Sequence, residues 1–362
     1  MSRAATPLWK RWAGRAYRRA HRALLRLYIP CRVHSLRCRK AANGQEWIAV
    51  IQIEHLGDIV ACEPISRHLK QRHASARLFW LVRPRYRELL DFNPNVDEVL
   101  AVSCLGEALR LAHSGLFHAV YNLHFDGRPC AVFGDIVRKP AGPPPHITMS
   151  NYYEHGSLLE LCSHSAGLPR LNEPCRIYIP DEVRRKVDRL KLPERFAVYH
   201  CRSNEKVRDW PAERFAELSR RIRSRSGLAS VEIGLEPVLP ESTPDLHRNL
   251  CGRLGLLETA EVIRRARLFV GIDSGPAHLA NASAVPGVIL LGHYLSFKRY
   301  LPYCGAYRDG GIARLLYADG PVSLLTIEQA EAAAIELLGE RDSAAKPPAM
   351  DRPAGSKGDA IA

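Results

Sequence analysis

The run L-F-V-G-I-D-S-G-P-A-H-L-A-N-A-S-A, residues 268–284, carries the most specific signal in the chain. Its first five apolar residues predict a buried strand over 268–272, after which D-S-G-P turns the chain into a helix over 276–284. Gly275 lets the backbone approach a ligand closely, and Pro276 suits the first helical turn. The free N–H groups of that turn, with the helix dipole, favour a diphosphate. Asp273 cannot be there to attract phosphate, so it fixes the turn or accepts hydrogen bonds from sugar hydroxyls. Ser274 can donate to a phosphate oxygen, and His278 lies about one helical turn inward. A plain strand-to-helix turn with a capping Asp would leave the same string.

The text on either side has the rhythm of parallel α/β units. Strands are predicted over 196–200, 230–234 and 287–291, with helices over 212–225 and 256–266. An earlier set of strands falls at 48–53, 77–82, 98–102 and 118–123, with a loop at 54–58 and a helix over 59–71. The Pro-rich stretch 139–146 reads as a loop, and 156–166 as a helix running to a junction. The expected architecture is α/β, with two Rossmann-like domains facing across a cleft, over 45–175 and 176–338. A basic arm (1–44) precedes them, and a disordered tail (339–362) follows. Ligands of open α/β sheets bind at the carboxyl ends of the strands, so the chemistry belongs at those edges.

With 362 residues, 46% of them hydrophobic, the chain can bury two cores. Its ten cysteines are scattered without zinc spacing and read as buried thiols in a reducing compartment. No apolar run is long enough to span a membrane. The formal charge of +14 is unevenly placed: 1–44 hold 12 Lys or Arg and no acid, leaving 40 basic against 38 acidic residues elsewhere. On a helix, Trp9, Trp12, Ala13, Ala16, Ala20, Ala23, Leu24 and Leu27 share one face, and Arg11, Arg15, Arg18, Arg19, Arg22 and Arg26 the other. Residues 8–28 thus suit an anionic membrane surface. The same stripe would also serve to pack the helix on the body of the protein. A nucleic-acid partner is disfavoured, because the basic excess ends abruptly.

In the first unit the strand ends in E-H-L-G-D. Asp58 there faces the cleft, where a carboxylate can take a hydroxyl proton, although capping a helix would equally explain it. His55 and Glu54 are weaker candidates for acceptor contacts. In the second unit, C-R-S-N-E-K-V-R-D-W-P brings Arg202, Ser203, Lys206 and Arg208 to the sheet edge, where cations neutralise a diphosphate leaving group. Glu236 is placed to accept from ribose hydroxyls, with Glu241 an equal alternative.

These strings together resemble glycosyltransferase family 9, the heptosyltransferases of the lipopolysaccharide inner core. An I-x-x-x-G-D-x-x-x-x-x-P pattern is matched by Ile53, Gly57, Asp58 and Pro64, a Lys-x-Trp-Pro segment by Arg208 to Pro211, and D-S-G-P-x-H-L-A in full. The resemblance spans about 47–310. It implies a GT-B fold with an N-terminal acceptor domain and a C-terminal nucleotide-sugar donor domain. The implied reaction is inverting displacement of the nucleotide, with no obligatory metal or other cofactor. Asp58 matches the base. Asp273, Ser274, Gly275 and His278 match donor positions; His55 and Gly57, in the loop that ends at Asp58, are taken as acceptor contacts from their place in that loop. The family's phosphate-binding lysine falls on Arg208, so Lys206 is an alternative, and Leu254 falls near the adenine pocket. The implied partners are an ADP-sugar, with heptose the family's sugar, and a lipid-linked glycan acceptor. The implied location is the cytoplasm, on the inner face of the cytoplasmic membrane. Where the family reads L-F-G-P-T, this chain reads L-L-G-H-Y-L-S-F-K-R-Y-L-P-Y-C-G, which puts the sugar in question. Two other classes compete: a catalytically silent nucleotide- or glycan-binding module, and a dinucleotide dehydrogenase, disfavoured because E-H-L-G-D lacks the glycines of G-x-G-x-x-G.

Overall fold

Strand β1 (Trp47–Ile51) is buried at every position, and its two faces serve different cores. Trp47, Ala49 and Ile51 join one apolar cluster and Ile48 and Val50 another, the period-two split of a strand covered on both sides. The computed structural model describes residues 8–140, 144–203, 205–239, 246–293 and 301–344. Helix α1 (Leu8–Asn43) precedes β1, and α2 (Leu56–Ala61) and α3 (Glu63–Arg72) follow it. Then come β2 (Arg77–Val82), β3 (Glu98–Ala101), α4 (Leu105–Ala112) and β4 (Ala119–Asn122), in a parallel sheet of order β3-β2-β1-β4.

Helices α5 (Leu158–Ser165) and α6 (Asp181–Asp188) lead to β5 (Phe196–His200), α7 (Ala212–Ser226), β6 (Ala229–Glu232) and β7 (Leu246–Asn249). The chain continues through α8 (Leu256–Arg265), β8 (Leu268–Ile272), α9 (Gly275–Ala282), β9 (Gly287–Leu291), β10 (Ala313–Tyr317) and α10 (Ile327–Ala344). The second sheet is also parallel, in the order β10-β9-β8-β5-β6-β7. Strand order reverses between β1 and β4 in the first sheet and between β5 and β8 in the second, which opens a crevice at the carboxyl ends of those strands. One apolar cluster runs through both halves, from Ile48, Val50 and Trp80 to Val198, Phe269 and Ile289. The predicted strands at 77–82, 196–200, 268–272 and 287–291 are observed with the same ends.

The structure differs from the expectations in four places. The helix predicted over 59–71 is two helices broken at Cys62, because Pro64 near the start of α3 has no N–H to continue α2. The first of them begins at Leu56, so Gly57 and Asp58 lie in a helical turn and not in a loop over 54–58. Helix α10 continues through 339–344, where a disordered tail was expected; Arg314 pairs with Glu336 and Glu340 at 3.0 and 2.6 Å and holds that end down. The remainder of the tail, 345–362, lies outside the described residues, as does Glu241. Finally, β7 and β10 were not foreseen, being short strands at the two edges of the larger sheet.

The basic arm is one helix of 36 residues that passes through Pro30. Its packed face is Leu25, Ile29, Val33 and Leu36, which share a core with Trp47, Phe79 and Phe117. Arg32 pairs with Glu107 at 2.7 Å and Arg39 with Glu98 at 2.6 Å, both in the first half. The stripe read from the sequence is not the packed one: Leu24 and Leu27 are 66% and 74% exposed, beside exposed Tyr17 and Tyr28. The side chains of 8–13, including Trp9 and Trp12, lie outside the described part. Each of the four packed residues contributes about 1.5–3 kcal/mol by burial. Removal of residues 1–40 is therefore expected to lower the melting temperature sharply or abolish soluble expression, whereas removal of 1–20 leaves it nearly unchanged; thermal denaturation of both truncations checks this.

Candidate active site

Asp58 is the third residue of α2, and its Oδ2 accepts the His55 backbone N–H at 2.7 Å. Asp58 is not the N-cap itself, a place taken by His55; it closes the helix start from the third helical position, with the His55 ring Nδ1 a further 3.4 Å contact on the same oxygen. Among the described residues Oδ1 has no hydrogen-bond partner, so capping leaves one carboxylate oxygen available. Burial pushes the Asp58 carboxyl up, but the hydrogen bonds from His55 and the nearby imidazoles of His55 and His278 outweigh it, and its pKa ends below the ordinary value. The group is a carboxylate at neutral pH.

Gly57 carries Asp58 up to the second half. A Cβ on Gly57 would lie 2.6 Å from His278 Cδ2, and a Cβ on Gly275 would lie 2.6 Å from Leu56 Cδ2, so each half presents a glycine to the other's side chain. Both glycines are there for close approach of protein to protein. His278 is buried beneath this contact, its ring 4.7 Å from that of Tyr303, and its Nδ1 has no partner among the described residues.

The D-S-G-P turn is held by its own side chains. Asp273 is buried and accepts the Tyr303 hydroxyl at 2.9 Å, and its Oδ2 and backbone carbonyl lie 3.4 and 3.3 Å from Arg208 Nη1. Of the two roles open to it, Asp273 takes that of fixing the turn. Ser274 Oγ donates to the Ile272 carbonyl at 3.1 Å and lies 3.0 Å from His200 Nδ1, so its proton is spent inside the protein. Any donation from Ser274 to a phosphate would therefore compete with these internal bonds. Ser203 is likewise consumed, donating to the Glu205 carbonyl at 2.8 Å while its N–H goes to Asp209 at 2.7 Å. Arg202 and Glu236 are both exposed and face each other at 3.3 Å. Lys206 is exposed, with no ion pair among the described residues, and Leu254 is half-buried against the shared core.

Three residues at this site were missed: His200, Tyr303 and Glu88. Glu88 reaches across from the first half and accepts the Leu256 N–H at 2.7 Å, at the head of α8. A histidine ending a buried strand was the available signal for His200. Tyr303 follows 294–300, the part of the divergent loop outside the described residues. Among the described residues no group of three or more His, Cys, Asp or Glu is placed to hold a metal ion.

Burial holds three imidazoles neutral: His200 is pushed down to about 4, His124 to about 3, and His278 below its ordinary value. The unfolded chain takes up these protons below pH 6.5, while folded His200 does not until about pH 4. Stability is therefore full above pH 6.5 and falls between pH 6.5 and 4. Urea midpoints measured across that range are expected to drop as pH falls, and His200→Asn, which keeps a donor near Ser274, should flatten the slope.

Residues 158–296 match the model of glycosyltransferase family 9 (heptosyltransferase). No curated protein matches the chain. Among solved structures, a glycosyl transferase family 9 protein of Veillonella parvula is 20% identical with a TM-score of 0.64, covering 82% of this chain and 97% of its own. The ADP-heptose lps heptosyltransferase II of E. coli is 17% identical with a TM-score of 0.57, over 82% and 99%. The dodecameric, iron-containing heptosyltransferase TibC, found in enterotoxigenic E. coli and solved with ADP-D-β-D-heptose, is 15% identical with a TM-score of 0.54, over 82% and 77%. These likenesses identify the fold as GT-B, two Rossmann-like halves about a cleft. With the family match lying over the D-S-G-P turn and the strands that flank it, the chain is a glycosyltransferase that is similar to family 9 over residues 158–296.

Proposed function

We propose that the chain transfers a sugar from an ADP-sugar, heptose being the first candidate, to a hydroxyl of a lipid-linked glycan such as a lipopolysaccharide core. The observation that carries this reading is the meeting of α2 and α9, which sets the Asp58 turn against the D-S-G-P-A-H turn. In the proposed step the acceptor hydroxyl attacks the anomeric carbon from the face opposite the nucleotide. Asp58 Oδ1 takes the hydroxyl proton as the bond to the diphosphate breaks, and the configuration inverts. The diphosphate departs against the head of α9, with Arg208 oriented by Asp273 and Lys206 beside it to neutralise the leaving charge. Glu236 and Leu254 are proposed for the nucleoside, and His55 and Gly57 for the acceptor side. No metal is assigned a part. ADP-heptose is named first because a relative of the same fold was solved with it.

Calorimetric titration with ADP, UDP and GDP tests the donor side. Selective ADP binding, weakened by Asp273→Ala or Arg208→Ala, is expected; preference for UDP or GDP would move the proposal to another nucleotide sugar, and no binding would favour a silent module. Asp58→Asn is expected to reduce transfer by about 10²-fold or more, on the scale of general-base loss, with ADP affinity unchanged. A variant that transfers normally would remove Asp58 from the mechanism.

The proposed location is the inner face of the cytoplasmic membrane. Among the described residues no helix is long and apolar enough to cross a membrane. Support comes from the exposed Tyr17, Leu24, Leu27 and Tyr28 on a helix whose opposite side is anchored to the body and whose other exposed residues include Arg15, Arg18, Arg19 and Arg26. Leu24→Asp with Leu27→Asp should abolish co-sedimentation with vesicles containing anionic lipid while the melting temperature stays within a few degrees of the parent. Undiminished sedimentation would overturn the docking role.

A further inference from the structure

Six of the ten cysteines meet in pairs: Cys62 with Cys162, Cys175 with Cys304, and Cys104 with Cys130. The first two pairs lie in the core shared by the halves, and the third lies in the first half beside α1. Cys104 is the N-cap residue of α4, yet its side chain makes no capping bond. Cys130 supplies one instead: its Sγ accepts the Gly106 N–H, at the head of the helix, at 3.2 Å. The N–H groups of Val132 and Phe133 bond the same sulfur, and so does the Cys104 thiol. Gly106 permits this approach, since a Cβ there would lie 2.6 Å from Phe133 Cδ2.

Four donors on one sulfur favour the thiolate over the thiol. Three of them are backbone N–H groups gathered by a turn and a helix head, a setting that stabilises an anion. They outweigh burial: Cys130 is held below the ordinary thiol value, and Cys104, facing that negative charge, is held above it. The charged groups around the pair are engaged with one another or with the backbone: Arg32 with Glu107, Arg110 with Asp135, and Arg22 with the Val132 carbonyl. Cys104 and Cys130 are 2% and 3% exposed, but the cover over Cys130 is one turn deep, for Ala131 and Gly134 are exposed. The same two segments seat α1. Ser103, next to Cys104, has its Oγ 3.1 Å from His21 Nε2, and Val132, two residues past Cys130, accepts Arg22 Nε at 2.8 Å.

We propose that Cys130 and Cys104 form a redox-active dithiol, which a hydroperoxide converts to a disulfide that fastens the seat of α1. The Cys130 thiolate attacks one peroxide oxygen, the O–O bond breaks, and the departing hydroxide takes a solvent proton, leaving Cys130 as a sulfenic acid. The Cys104 sulfur then attacks the Cys130 sulfur, the S–O bond breaks, and the second hydroxide leaves with the Cys104 proton as water. Both sulfurs are oxidised and hydrogen peroxide is reduced to two waters. The sulfurs already touch, so a bond of about 2.05 Å needs little backbone movement. A reducing compartment returns the pair to thiols, as it does for redox-sensing cysteines. Once closed, the bridge joins the Ser103 and Val132 segments covalently and tightens their grip on His21 and Arg22.

The test uses the full chain carrying Cys31→Ser and Cys38→Ser, which removes two exposed thiols. After treatment with hydrogen peroxide, peptide mapping by mass spectrometry is expected to find a Cys104–Cys130 link that dithiothreitol undoes. With Cys104→Ser the reaction should stop at the Cys130 sulfenic acid, which dimedone traps; with Cys130→Ser, whose hydroxyl still accepts the Gly106 N–H, Cys104 should stay unlabelled. Alkylation by iodoacetamide needs no variant at the pair: between pH 7 and 8.5 the rate at Cys130 should change less than about twofold, whereas a free thiol ionising near pH 8.5 speeds up roughly tenfold. Tryptic cleavage after Arg22 should be several-fold slower in the bridged protein than in the reduced one. A link confined to Cys62, Cys162, Cys175 and Cys304, labelling of Cys104 in place of Cys130, or a tenfold rise in alkylation with pH would overturn the dithiol. Equal cleavage rates in the two forms would overturn its hold on α1. None of these readouts depends on sugar transfer.

Discussion

The two halves of this protein meet where neither has a side chain. Gly57 of α2 lies against the His278 ring, and Gly275 of α9 lies against Leu56, with room for no Cβ at either place. This reciprocal contact brings the carboxyl edge of one sheet to the carboxyl edge of the other, so both switch-point crevices open into one space. The shared apolar cluster beneath it, from Ile48 to Phe269, gives the contact its driving force. Glu88 adds a polar tie at the head of α8, satisfying a helical N–H that would otherwise need another partner. The placement of Asp58 relative to the donor turn depends on all of these.

Within that space most of the conspicuous polar groups are already engaged. Asp273 holds Arg208 and Tyr303, Ser274 is committed to Ile272 and His200, and Ser203 closes its own turn. Buried polar groups must be paired, and here the pairing also fixes the shape of the turn proposed to bind the diphosphate. Among the described residues, one oxygen of Asp58 and the exposed Lys206 are not engaged in this way. The imidazoles of His124, His200 and His278 stay neutral because burial disfavours their charge, so the positive character of the site comes from arginine and lysine.

Helix α1 shows how one amphipathic pattern can be read two ways. A 36-residue helix bearing apolar residues on two sides can pack one and present the other, and the first half covers Leu25, Ile29, Val33 and Leu36. The helix is thereby both part of a core and a carrier of exposed Leu24 and Leu27. Its fixed attachment through Arg32 and Arg39 means that any surface it meets also sets the orientation of the cleft.

The α/β class, the four strands that match residue for residue, the turn at D-S-G-P and the candidacy of Asp58 all follow from local pattern. Strand periodicity, a proline at a helix start and glycine at a close approach are properties of neighbouring residues, and neighbours are what a sequence displays. The break at Cys62 was in principle readable from Pro64 as well. The edge strands β7 and β10 were not, since a strand at an edge has less buried surface to stamp a pattern on its residues. Tertiary structure alone decided which stripe of α1 is covered, because two stripes of similar composition differ only in what stands opposite them. It alone decided that the hydroxyl of Ser274 lies beside His200, that Glu88 crosses to α8, and that Arg83, Arg85 and Arg128 close around Glu54. Each of these joins residues far apart or through a backbone carbonyl, and a pairing of that kind exists only once the sheets have brought their edges together.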